Sequence, residues 1–145
     1  MNTLKVLVAE DNLINQKVVT RMLERLGYQA DLAKDGLEVL GALRQQPYDV
    51  ILMDMYMPNM SGIDAARQIC QEWHPTIRPY IVAVTASTEE TDYQSCIAAG
   101  MDDYISKPIR LDELERVMTN YRVTHSPQLE GRQREATAPL LLDTE

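Results

Sequence analysis

Residues 49–62 read DVILMDMYMPNMSG. Val50, Ile51, Leu52 and Met53 are apolar at successive positions, without polar alternation, and Asp54 ends the run. A strand apolar on both faces is covered on both faces, as in a parallel sheet flanked by helices. The turn residues Pro58, Asn59, Ser61 and Gly62 then break the chain before the next periodic stretch. Lys5–Ala9 (KVLVA), Asp49–Met53 (DVILM) and Tyr80–Val84 (YIVAV) share this pattern and are predicted as buried strands. Tyr28–Ala33 (YQADLA) alternates more and fits an edge strand, and Tyr104–Ser106 makes a short fifth strand.

Amphipathic stretches separate these runs. Asn12–Leu26 carries Val18, Val19, Met22, Leu23 and Leu26 on one side, with Gly27 as a C-terminal stop. Gly36–Gln46 carries Leu37, Leu40 and Leu43. Ser61 with Asp64 resembles a capping box before Ile63, Ala66, Cys70 and Trp73. Ser87 with Glu90 repeats that signal before Tyr93 and Ile97, and Gly100 ends the helix. The last helix runs from about Leu111 to Tyr121 with Leu111, Leu114, Met118 and Tyr121 as its stripe. Asp112 and Glu113 in its first turn favour the helix dipole. The sum is (βα)5 with right-handed crossovers. It forms a doubly wound α/β fold with a five-stranded parallel sheet, most simply in the order 2-1-3-4-5.

Composition bounds the function. The 145 residues are 45% hydrophobic and 25% charged, as in ordinary globular proteins. A net charge of −8 argues against a nucleic-acid-binding surface. No apolar run approaches the roughly 18 residues that span a bilayer. The N-terminal MNTLKVLVAEDN ends its short apolar stretch in two acids, so no secretory signal is read and a cytosolic location is expected. Cys70 and Cys96 sit at core-like helical spacing and are expected to be buried thiols without a disulfide. His74 and His125 lack neighbouring ligand types and read as loop or surface residues. Residues 1–123 form the predicted domain. Residues 124–145 mix Pro, Gly, Thr and charges without periodicity and read as a linker or tail, although Leu140–Leu142 offers a docking triplet.

In an open parallel sheet, ligands bind where the carboxyl ends of the strands emerge. Strand one ends in Glu10 and Asp11, strand three in Asp54, strand four in Thr85 and Ala86, and strand five in Lys107 and Pro108. Three clustered carboxylates repel one another and attract a cation. Oxygen-only donors favour a hard ion such as Mg2+, and Mn2+ is compatible with the same donors. Mg2+, a lysine and a hydroxyl beside a carboxylate suit an anionic ligand with several oxygens, and a phosphoryl group fits. Asp54 is then the expected nucleophile. Lys107 pairs with a phosphoryl oxygen. The Thr85 hydroxyl and the Ala86 N–H donate to others.

The strings VLVAEDN, DVILMDMYMPNMSG, VAVTAS and GMDDYISKPI closely resemble the signature segments of response-regulator receiver domains, from residue 4 to about 121. EDNxxNQKV, MDMxMPxMxG and AGMDDYISKP look most like receivers attached to hybrid sensor histidine kinases or multistep phosphorelays. The resemblance implies a flavodoxin-like receiver fold with Asp54 as phosphoacceptor. It implies Mg2+ held by Asp11, Asp54 and the Tyr56 backbone carbonyl, with Glu10 acting through water. Thr85 and Lys107 would bind the phosphoryl group, and Tyr104 would be the switch partner of Thr85. The Lys107–Pro108 bond would be cis. Tyr56 and Ser87 occupy positions that tune hydrolysis of the aspartyl phosphate.

The same resemblance implies a phosphohistidine donor on a histidine kinase or phosphotransfer domain, approaching beside the first helix, where Ile14 is either a contact or a core residue. Output would pass through the surface of the fourth helix, fifth strand and fifth helix to a protein partner, a homodimer included. No separate turnover of substrate is expected. Two other classes compete. An aspartyl phosphohydrolase of the haloacid-dehalogenase type resembles a DxD pattern, whereas Asp54 is followed by Met55 and Tyr56. A pseudo-receiver that only binds partners is disfavoured by the intact acid set and Lys107.

Overall fold

The computed structural model describes residues 4–86 and 89–125. Five strands alternate with five helices: β1 Lys5–Ala9, α1 Leu13–Arg25, β2 Gln29–Ala33, α2 Gly36–Gln45, β3 Val50–Asp54, α3 Gly62–Glu72, β4 Tyr80–Thr85, α4 Glu90–Ala98, β5 Asp103–Ser106 and α5 Leu111–Thr124. All pairings are parallel, in the order β2-β1-β3-β4-β5. The predicted order and the edge position of the YQADLA strand are both borne out.

The unalternating strands have a direct physical reason. Successive side chains point to opposite faces, and each face carries its own core. Leu7, Ile51, Met53, Ile81 and Ala83 pack with α2 and α3 residues such as Val39, Leu40, Ala66 and Ile69. Val6, Val8, Val50, Leu52, Val82 and Val84 pack with Val19 and Leu23 of α1 and Leu114, Val117 and Met118 of α5. Ile51 is fully buried, so truncating it to Ala would cost about 2–5 kcal/mol.

Helix faces were read less accurately than strands. Val18 and Leu37, expected on apolar stripes, are exposed, and so are Tyr93 and Ile97 of α4. In α1 and α2 the inward faces are set by Val19 and Leu23 and by Val39, Leu40 and Leu43. In α4 only Cys96 is buried. Ser61 does cap α3, accepting from the Asp64 N–H at 3.1 Å. The proposed cap Ser87 lies outside the described residues. The N-cap of α4 is Glu89, whose side chain makes no capping bond. Cys96 is buried, Cys70 only half-buried, and both thiols are free. α5 continues to Thr124, and the His125 ring stacks on Tyr121 at 4.3 Å between centroids. Among the described residues no helix is long and apolar enough to cross a membrane.

Candidate functional site

The strand ends bring the acids together. β3 closes on Asp54, whose register partner on β4 is Val84. The chain leaving β1 delivers Glu10 and Asp11 beside it. One carboxylate oxygen from each of Glu10, Asp11 and Asp54 lies within 4.8 Å of the others. Glu10 and Asp54 are buried, whereas Asp11 is open to solvent.

A lysine reaches two of the three acids. Lys107 Nζ donates to Asp54 Oδ2 at 3.0 Å and lies 3.5 Å from Glu10 Oε1. Its backbone is tied to the fourth strand, since the Lys107 N–H donates to the Thr85 carbonyl at 2.7 Å. Burial pulls the Lys107 pKa down, but the Asp54 hydrogen bond and the charges of Asp54 and Glu10 outweigh it, so the net shift is upward. Lys107 is therefore cationic near neutral pH. The Lys107–Pro108 peptide is cis.

Backbone groups complete the frame. The Tyr56 N–H donates to Asp54 Oδ1 at 3.2 Å, and the Asn12 N–H to Glu10 Oε2 at 3.1 Å. Gln16, a buried α1 residue, donates from Nε2 to the Glu10 carbonyl at 2.6 Å and so holds the turn that carries both acids. Thr85 is buried at the end of β4. Tyr104 is half-buried in β5, and its ring meets Tyr93 of α4 edge-on at 5.5 Å. Tyr56 is 66% exposed and Ile14 71% exposed, so neither is a core residue. Ser87 lies outside the described residues.

Gln16 supports the turn that carries two of the acids, and Asp35 bonds Asn59 of the loop that leaves Asp54; the sequence reading passed over all three. Asp35 before Gly36, with Glu38 three residues on, is a capping signal. The link from Asp35 to Asn59 spans 24 residues and has no local signature.

The donor set is all oxygen and carries three carboxylates against one ammonium group. Such a surplus suits a small hard cation, and Glu10, Asp11 and Asp54 are the residues that would hold Mg2+.

The chain belongs to the response regulator receiver domain family, whose model matches residues 6–119. It is a domain of the two-component and phosphorelay class of signalling proteins. Among curated relatives, Histidine protein kinase 1 of Candida albicans is 45% identical over 125 residues, covering 80% of this chain and 5% of that protein. Hybrid signal transduction histidine kinase K of Dictyostelium discoideum is 42% identical over 118 residues, covering 76% and 10%. The chain thus spans a small part of the curated relatives it matches.

Solved structures agree. The receiver domain of a Pseudomonas aeruginosa sensor histidine kinase superposes with a TM-score of 0.74 at 37% identity, covering 83% of this chain and 98% of that one. That structure has a magnesium ion coordinated in its active-site cleft. A second match is the co-crystal of a Saccharomyces cerevisiae histidine phosphotransfer protein with the receiver domain of its downstream response regulator. It gives a TM-score of 0.75 at 31% identity, covering 82% and 88%.

Proposed function

We propose that residues 1–123 act as a phosphoacceptor module, taking a phosphoryl group from a phosphohistidine onto Asp54. The observation that carries this reading is the contact of Lys107 with Asp54 and Glu10 inside a cluster of three carboxylates. A carboxylate oxygen of Asp54 attacks phosphorus. The O–P bond forms as the P–N bond breaks, and the bonding pair stays on the imidazole nitrogen, which then takes a proton. Lys107 exchanges its Asp54 contact for a phosphoryl oxygen. The Thr85 hydroxyl and the Ala86 N–H donate to the remaining oxygens. Asp11, Asp54 and the Tyr56 carbonyl would hold Mg2+, or Mn2+ in its place, with Glu10 acting through water. The metal, when bound, offsets the charge of the acids and of the transferring group.

The donor is a histidine kinase or a histidine phosphotransfer domain on the cytoplasmic side, docking near the exposed Ile14. No other substrate turns over. Phosphorylation draws Thr85 inward, and Tyr104 follows into the space it leaves. The Tyr104 ring contact with Tyr93 passes the change to α4, so the α4, β5 and α5 surface reports it to a protein partner. The Tyr56 ring shields the acyl phosphate from water. Tyr56→Ala is expected to speed dephosphorylation, and an unchanged rate removes that role.

Phosphotransfer from a phosphorylated histidine phosphotransfer domain tests the whole reading. Wild type should gain label in Mg2+ and Asp54→Asn should gain none. Multiple turnover to inorganic phosphate at a fast, steady rate would favour a phosphohydrolase instead.

A further inference from the structure

The loop from Met55 to Ser61 leaves the proposed acceptor and carries the Tyr56 carbonyl. A residue remote from it in sequence holds it in place. Asp35 caps α2, with Oδ1 accepting from the Glu38 N–H at 2.8 Å. Its other oxygen, Oδ2, accepts from Asn59 Nδ2 at 2.7 Å. Asp35 is only 4% exposed. Asn59 has φ +66° and is the sole non-glycine at positive φ among the described residues. Two backbone bonds fix the neighbouring chain. The Gly36 N–H donates to the Met60 carbonyl at 3.0 Å, and the Gly62 N–H to the Met55 carbonyl at 3.0 Å. The approach at Gly36 is so close that a Cβ there would lie 2.8 Å from the Met60 carbonyl oxygen.

The Asp35 carboxyl lies below its ordinary value of 3.8, chiefly because of the Asn59 hydrogen bond, so it is ionised near neutral pH. A charged acceptor makes a stronger and more directional bond than a neutral one. Asn59 could reach a left-handed conformation without help. A buried carboxylate aimed at its side chain restricts it to one orientation, and the restraint reaches Tyr56 only three residues away.

We propose that Asp35 is a positioning residue for the metal site, acting through Asn59 to hold the Tyr56 carbonyl where it can serve as a ligand. This rests on the Mg2+ reading of Glu10, Asp11 and Asp54 given above. Asp35 touches no metal. It pre-organises a backbone ligand that cannot be tuned by changing its own side chain.

Two variants separate the tether from fold stability. In Asp35→Ser the helix cap is kept, because serine caps about as well as aspartate, but the shorter side chain cannot reach Asn59. In Asn59→Gly the backbone adopts positive φ freely and the amide is gone. Mg2+ affinity is measured by calorimetric titration without phosphodonor, alongside the Tm of each metal-free protein. Each variant is expected to bind Mg2+ about 10-fold more weakly, in the range seen when outer partners of metal ligands are removed, with little change in Tm. The double variant should be no weaker than either single one. Wild-type affinity in both single variants overturns the proposal, as does a double variant whose loss equals the product of the two. If wild type itself binds no Mg2+, the metal site falls and this inference with it. If wild type binds and the variants match it, only this inference falls.

Discussion

The two ends of the sheet treat acids in opposite ways. At the carboxyl ends, Glu10, Asp11 and Asp54 cluster, and Lys107 contacts Glu10 and Asp54. At the amino ends, the corresponding acids have local partners. Asp102 holds Arg78 in a two-bond fork at 2.8 and 3.0 Å and also accepts from the Ile81 N–H. Asp103 lies 3.3 Å from Arg116. Asp49 accepts from the Lys5 N–H at 2.8 Å. At that end each acid has a hydrogen-bond partner. The other keeps a negative surplus, which suits the cation and the phosphoryl group of the proposed reaction.

The sharpest way to break this contrast is to remove the Lys107 cation. Lys107→Ala should slow phosphorylation by about 10²–10³-fold, in the range of other lost transition-state donors. It should also tighten Mg2+ binding, since a competing positive charge is gone. Rate and affinity moving down together would mean that Lys107 only holds the acids in shape.

A paired neutralisation compares the two edges directly. Asp102→Asn weakens a part-exposed fork and a backbone contact, and should cost about 1–2 kcal/mol in chemical denaturation while leaving the phosphorylation rate unchanged. Asp11→Asn removes repulsion, so metal-free stability should hold or rise by at most about 1 kcal/mol, while the Mg2+-induced rise in Tm shrinks. Equal losses of stability in both variants would erase the distinction drawn here.

The smallest effect is at alkaline pH. Burial and neighbouring acids push the phenols of Tyr48 and Tyr80, at the amino ends, up to about 12. Their folded values exceed the ordinary value of 10.0. Their contribution to stability is therefore complete below pH 10 and fades as pH climbs from there towards 12. An ultraviolet titration should show Tyr48 and Tyr80 among the late-ionising tyrosines, with Tyr104 also raised by burial, and Tyr48→Phe should remove one.

The sequence revealed the sheet more fully than the helices. Buried parallel strands must be apolar on both faces, so DVILM and YIVAV can be read without context. A helix has one buried face, and where aliphatic residues stand on both sides, as with Val18 beside Val19 or Leu37 near Leu40, only packing decides which turns inward. In α4 the apolar pattern is weak, and Tyr93 and Ile97 face outward. The acids and Lys107 were legible because the ends of parallel strands share one edge. Gln16, Asp35 and Asn59 were not, because each acts on a partner chosen by the folded chain, such as Asp35 on Asn59.

The most direct test asks where a phosphoryl group lands. The protein is exposed to phosphoramidate with Mg2+ or with EDTA, the acyl phosphate is trapped by borohydride reduction, and the modified residue is located by tandem mass spectrometry. The account predicts one Mg2+-dependent modification, at Asp54, absent in Asp54→Asn. A modification at another residue, or one that forms equally well in EDTA, would contradict it.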